Sequence, residues 1–227
     1  MKKITGNIYQ ISLGPVNAFI VEDDGLTLID TGLPGNADKI FSNLKKEGKR
    51  PDDIKRIILT HCHTDHAGSA AALKQIMNIS VYAHHEDAVL IEQGIGGRLM
   101  KLTPGIINRL VYHLVIKKAE NALQPVQIEE KLSDNDIIPV AGGIRVIHTP
   151  GHSAGHIALL IEDEGVLIAG DICANIPSLA YSTLNENIIT AQQSIIRAAG
   201  HSFDKAVFGH GGPLLNMANK KLMDKFY

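Results

Sequence analysis

Apolar and polar positions alternate along the first thirty residues. "NIYQISL", "NAFIVED" and "GLTLIDT" read as three strands, the last after a turn at Asp24–Gly25. The period then changes. In "NADKIFSNLKKEG" the apolar Ala37, Ile40, Phe41 and Leu44 share one helical face, with Asn36 as a cap and Gly48 as a stop. "IKRIILT" is a short apolar strand and "GSAAALKQIM" turns helical. "SVYAH" and "EDAVLIEQ" repeat the strand–helix step, ending at Gly94. From Ser133 the alternation returns in "DIIPVA", "IRVIHT", "HIALLIE" and "VLIAGD". A helix, "NENIITAQQSIIRAAG", a strand, "KAVFGH", and a last helix, "LLNMANKKLMDKF", close the chain. This order predicts two similar halves, with sheets packed together and helices outside.

Residues 94–127 depart from the pattern. "GRLMKLTPGIINRLVYHLVIKKAENALQ" is apolar and broken by Pro104–Gly105, and reads as an inserted pair of helices. Its apolar residues, among them Leu99, Met100, Leu110 and Leu114, exceed what one helix face against a core requires. A cover over a site elsewhere in the chain is the sharper expectation, and a simple packing pair is the plainer one.

The chain has 227 residues, which suits one domain, 1–227, carrying that insertion. Its formal net charge of −2 supplies no basic field for nucleic acid or anionic lipid. Neither a signal-type apolar run nor a stretch of ~18 apolar residues is present. The two cysteines, Cys62 and Cys173, make no disulfide framework. A cytoplasmic protein acting on a small molecule, with neither nucleic acid nor membrane as partner, is therefore expected. Its oligomeric state is left open.

The candidate chemistry lies in "LTHCHTDHAGS". Three histidines and an aspartate fall between His61 and His66, on a strand-to-helix loop. The whole chain has only 11 histidines, so such a crowd is not incidental. On an extended loop His61 and His63 project to one side, Asp65 follows on that side, and His66 enters the helix. Two imidazoles at this spacing grip a borderline metal such as zinc. Three further ligand-type residues stand at the tips of apolar strands beside glycine: His152 in "TPGHSAGH", Asp171 in "LIAGD" and His210 in "VFGHGG". Four of the remaining histidines, His84, His85, His113 and His201, read as structural or exposed, and His148 and His156 as strand packing.

The run His61-Cys62-His63-Thr64-Asp65-His66, followed in order by His152, Asp171 and His210, resembles the metallo-β-lactamase-fold hydrolase superfamily. "LIDTG", with Asp30 at the family's first acidic position, resembles it too. The likeness spans nearly the whole chain outside 94–127. It implies an α/β (α+β) fold, the four-layer αββα sandwich with a helical insertion. It also implies two divalent metal ions, zinc first among them, with iron or manganese as alternatives. His61, His63 and His152 would hold one ion, Asp65, His66 and His210 the other, and Asp171 both. Asp30 would orient a ligand imidazole. Such a pair of ions bridges a water and gives hydroxide near neutral pH, with Asp65 as the proton shuttle. No cysteine nucleophile is needed, and alternation points Cys62 away from the ligands.

Asp171 together with His66 resembles the glyoxalase II and lactonase branches rather than a true β-lactamase. Lactonases place a tyrosine soon after the bridging aspartate, whereas here Tyr181 lies ten positions on. The reading is a hydrolase of a small ester, thioester or lactone. The alternatives are a phosphodiesterase or nuclease, and an iron-dependent oxidoreductase resembling persulfide dioxygenases.

Overall fold

The computed structural model describes residues 1–114, 116–118 and 122–227. The chain opens with β1 (Lys2–Lys3), β2 (Ile8–Ser12), β3 (Asn17–Asp23) and β4 (Gly25–Ile29), paired antiparallel in succession. After α1 (Ala37–Lys46) come β5 (Ile54–Ile58), the short α2 (Thr64–Ala67), α3 (Ala70–Met77), β6 (Ser80–His84) and α4 (His85–Gln93). The insertion contributes β7 (Lys101–Leu102) and α5 (Ile106–Leu114), and β8 (Glu130–Leu132) follows it. β4, β5, β6 and β8 run parallel to one another, completing a seven-stranded sheet in the order β1-β2-β3-β4-β5-β6-β8.

The second half supplies β9 (Ile137–Ile138), β10 (Ile144–His148), β11 (Ile157–Ile161) and β12 (Val166–Ile168). Three short strands, β13 (Ala174–Asn175), β14 (Leu179–Ala180) and β15 (Leu184–Asn185), lie outside the main sheets. Then come α6 (Ile188–Ala199), β16 (Lys205–Val207) and α7 (Ala218–Phe226). The second sheet has the order β16-β12-β11-β10-β9, with β12 and β16 parallel.

Side-chain alternation builds the layers. In β3, Phe19 and Val21 join the core between the sheets, while Ala18 and Ile20 face the helical side. In β11, Ile157, Leu159 and Ile161 face the first sheet, and Ala158 and Leu160 face α6 and α7. Both strands are buried on both faces, so they read as continuous apolar runs. Three cores result: helices α1, α3 and α4 on the first sheet, sheet on sheet, and helices α6 and α7 on the second. This is the αββα sandwich. Each fully buried large aliphatic contributes ~1.5–3 kcal/mol.

Two backbone bonds tie the sheets at one end, Ile157 N–H to Thr60 O at 2.9 Å and Asn17 N–H to Gly209 O at 2.8 Å. The C-terminal tips of β4, β5, β12 and β16 lead to Asp30, His61, Asp171 and His210, so the ligand-type residues gather where the two sheets meet.

The insertion differs from the expected helix pair. Residues before Pro104 are not helical, because β7 pairs with β15 and Gly97 sits at φ 134°. Among the described residues one α-helix, α5, follows Gly105, with none of its residues buried, and a single 3-10 turn, Ile116–Lys118, comes after it. Val115 and Ala119–Asn121, which the expected second helix included, lie outside the described residues. β8 was not anticipated, because a three-residue edge strand with two charged residues carries no alternation signal. No helix among the described residues is long and apolar enough to cross a membrane.

Candidate metal centre

All seven sequence-predicted residues converge. His61, His63 and His152 bring their ligand atoms within 4.8 Å of one another, and so do Asp65, His66 and His210. A third grouping, His61, His66 and Asp171, links the two. Asp171 lies between them. Its Oδ2 is 3.1 Å from His210 Nε2 and 3.6 Å from His152 Nε2, and its Oδ1 is 3.4 Å from His66 Nε2.

Five buried atoms there have no hydrogen-bond partner: Nε2 of His61, His63, His66 and His152, and Oδ1 of Asp171. Buried polar atoms are almost always satisfied, so five orphans in one cluster are the signature of a cation site. The donor set, imidazole nitrogens and carboxylate oxygens, suits a divalent metal.

The opposite ring edges explain why the Nε2 atoms are the ones left free. His152 Nδ1 donates to the Leu184 carbonyl at 3.0 Å, and His210 Nδ1 donates to the Pro15 carbonyl at 2.8 Å. A carbonyl can only accept, so each Nδ1 carries a proton; the His152 Nε2 is thereby left with its lone pair, while the His210 Nε2 faces the Asp171 and Asp65 carboxylates. His66 Nδ1 donates to Asp30 Oδ2 at 2.8 Å. Thr60 Oγ1 lies 3.0 Å from His61 Nδ1 and donates in turn to Asp30 at 2.8 Å. Asp30 thus orients two imidazoles, His66 directly and His61 through Thr60, as the sequence reading expected for one. It does so from φ 59°, a left-handed conformation that aspartate tolerates better than most residues.

Proton occupancy divides the cluster. Burial holds His61 well below the ordinary histidine value, and burial with nearby His152 takes His63 down to about 3. Burial lowers His152 as well. Burial opposes charge on His66 too, but Asp171, Asp30 and Asp65 outweigh it and push it well above. The same balance, with Asp171 foremost, pushes His210 up to about 10. Burial disfavours charge on Asp65 and Asp171, yet His66 and His210 hold both below the carboxylate range. Without metal, the carboxylates are neutralised by protons on His66 and His210.

Several supporting residues were not foreseen. His156, expected to be packing, accepts the Asp171 N–H at 2.8 Å through Nε2 and contacts Thr149 Oγ1 at 2.8 Å through Nδ1. It therefore fixes the backbone of the central aspartate. Asn17 donates to the Phe208 and Gly211 carbonyls, both at 2.9 Å, and so steadies the strand end that bears His210. Nothing near Asn17 in the sequence signals this, whereas Thr60 stands directly before His61. Gly209 is required by space, since a Cβ there would run into the Asp171 carboxylate and the His66 ring. The cysteines are small buried residues of two separate cores, and burial raises both thiols. Tyr181 packs edge-on against Phe226, with centroids 4.9 Å apart, on the α7 side.

Comparison with known proteins agrees with this geometry. Residues 11–210 match the metallo-beta-lactamase superfamily. A probable metallo-hydrolase of Bacillus subtilis, YflN, is 27% identical over 226 residues, covering 92% of this chain and 81% of that protein. An N-acyl homoserine lactonase of Bacillus cereus is 28% identical over 183 residues, 70% of this chain and 62% of the lactonase. Among solved structures, a metallo-beta-lactamase family protein from Thermus thermophilus superposes with a TM-score of 0.72 at 26% identity, over 98% of this chain and 80% of that one. The subclass B3 metallo-beta-lactamase BJP-1 of Bradyrhizobium japonicum shares the fold, with a TM-score of 0.73 at 21% identity, over 98% and 88% of the two chains. The chain belongs to the metallo-β-lactamase superfamily and is a metal-dependent hydrolase.

Proposed function

We infer that the cluster is a dinuclear centre for two divalent ions, zinc by preference, and that it hydrolyses a small ester, thioester or lactone. The observation that carries this reading is the set of five unpartnered buried ligand atoms. His61, His63 and His152 would hold one ion, and Asp65, His66 and His210 the other. Asp171, whose carboxylate lies near His152 of one group and His66 and His210 of the other, would be shared. The lactonase among the relatives favours lactone opening within this class. The bound ions would supply a hydroxide nucleophile near neutral pH and polarise the scissile carbonyl.

The chain's own residues have distinct tasks. Asp30, Thr60, Leu184 and Pro15 hold the ring protons on Nδ1, so that the Nε2 lone pairs face inward. Asp65 and His210 are the half-buried members, open toward solvent, while His61, His66 and Asp171 are closed off. Asp65 is therefore placed to carry a proton between the site and the leaving group. The thiols, buried and neutral, take no part.

Metal analysis with a substrate panel tests this. Purified protein should bind two divalent ions per chain, and Asp171→Ala should lower occupancy and abolish turnover. Against thioesters, lactones, β-lactams and a phosphodiester, the metal-loaded protein should open lactones or cleave esters. A single iron per chain, preference for the phosphodiester, or full two-ion occupancy in Asp171→Ala would overturn the reading.

A further inference from the structure

The three-histidine group is assembled from two halves of the molecule. His61 and His63 follow β5 of the first sheet, and His152 follows β10 of the second. Asp87, in the first turn of α4, has its carboxylate fully buried between the two loops. Its Oδ2 accepts from the Ser153 hydroxyl at 2.6 Å and from the Cys62 N–H at 3.1 Å. Its Oδ1 accepts from the Gly155 N–H at 2.9 Å and from Arg98 at 2.9 Å. Cys62 lies between His61 and His63, and Ser153 is next to His152. One carboxylate thus grips both ligand-bearing loops.

The fit around it is close. A Cβ on Gly155 would collide with the Asp87 backbone and side chain. Arg98, from the 94–127 segment, supplies the counter-charge; it also donates to the Glu86 carbonyl at 2.6 Å and lies 3.6 Å from Glu186. Glu186 in turn donates its N–H to the His152 carbonyl at 3.2 Å. Four donors on a buried carboxylate make an over-determined joint, since each bond to a charged acceptor is among the stronger kinds.

We propose that Asp87 is the positioning residue of the three-histidine ion, clasping the His61–His63 loop to the His152 loop, with Arg98 as its counter-charge. This rests on the dinuclear reading above. Groups that support metal ligands without touching the metal typically govern ~10–100-fold in affinity. The clasp touches the loops of one ion and no residue of the Asp65–His66–His210 group, so its effect is selective. A general packing role would weaken both ions alike.

Two backgrounds separate the ions. In His210→Ala, zinc uptake measured against a chromogenic chelator reports the three-histidine group. In His63→Ala, it reports the other. Adding Asp87→Asn should weaken uptake by ~10–100-fold in the first background and leave it unchanged in the second. Cobalt(II) in the first background should show a shifted visible spectrum. Ser153→Ala, which keeps the charge and loses one donor, should shift affinity in the same background by a smaller factor, and covers the case in which Asp87→Asn fails to fold. Equal loss in both backgrounds, or wild-type affinity with an unshifted spectrum, would overturn the proposal. A wild-type protein that takes up no zinc would sink the dinuclear reading as well, so the two failures are distinguishable.

Discussion

At the scale of single residues, Asp65 is proposed to do two things, to hold metal and to move a proton. Asp65 Oδ2 lies 3.3 Å from His210 Nε2 and 3.9 Å from His66 Nε2, with its side chain one-third exposed. Asparagine keeps the shape and a ligand oxygen but cannot carry a proton. Asp65→Asn should therefore reduce activity per bound metal by ~10²–10⁴-fold, the usual cost of losing an acid–base group. The check is turnover normalised to measured metal content. Wild-type turnover per metal would make Asp65 a ligand alone. The seven ligand-type residues were legible because histidine and aspartate crowd into one loop and then recur at strand tips beside glycine. Asp87 was not. It sits in "EDAVLIEQ" on the face of Ala88 and Ile91, and an acidic residue on a buried helix face was the available signal. Its partners Ser153 and Gly155 are more than sixty positions away in sequence, so only folding brings them together.

At the scale of elements, the sandwich strands were legible because burial on both faces leaves long apolar runs. The insertion was less so, because apolar residues there do not report burial. Ile106 is 80% exposed, Leu114 76% and Leu110 56%. The stem of the segment is fixed beside the site. Thr103 N–H donates to the Thr183 carbonyl at 2.9 Å, and Thr103 Oγ1 donates to the Ser182 carbonyl at 2.7 Å. β15, its pairing partner, carries Leu184, whose carbonyl orients His152. β7 thus joins α5 to the strand that orients His152, and we propose that the exposed apolar side chains of α5 meet an apolar substrate chain. Leu110→Gln should raise KM for acyl substrates with long apolar chains while sparing metal content and a small generic ester. As an exposed substitution it should change stability by no more than ~0.5 kcal/mol. Kinetics unchanged at every chain length would show that α5 does not meet substrate. A lower melting temperature with uniform loss would show that it packs.

At the scale of the whole molecule, the two candidate ligand groups differ in what an incoming ion would have to displace. Burial leaves His61, His63 and His152 below the ordinary histidine value, so they are neutral at pH 7 in the metal-free protein. Their Nε2 lone pairs are free, and a first ion meets no proton there. His66 and His210 are raised by the carboxylates they face, His210 from 6.5 to about 10, and so are protonated at pH 7. Those protons stabilise the metal-free fold. For His210 the contribution is complete below 6.5, the unfolded value, and is lost as pH rises through about 10. On the two-ion reading, a second ion would have to replace both protons, so its affinity should climb with pH across that same window, while affinity for the first stays nearly flat above pH 7. The two loading steps should therefore separate in a calorimetric zinc titration at pH 7 in two buffers of different ionisation enthalpy. The first step should release almost no protons, and the second up to about two, one each from His66 and His210. Equal release in both steps would mean that the two groups share their protons. Release confined to the first step would mean that the carboxylate-bearing group is already proton-free, and that Asp65 and Asp171 are balanced in some other way.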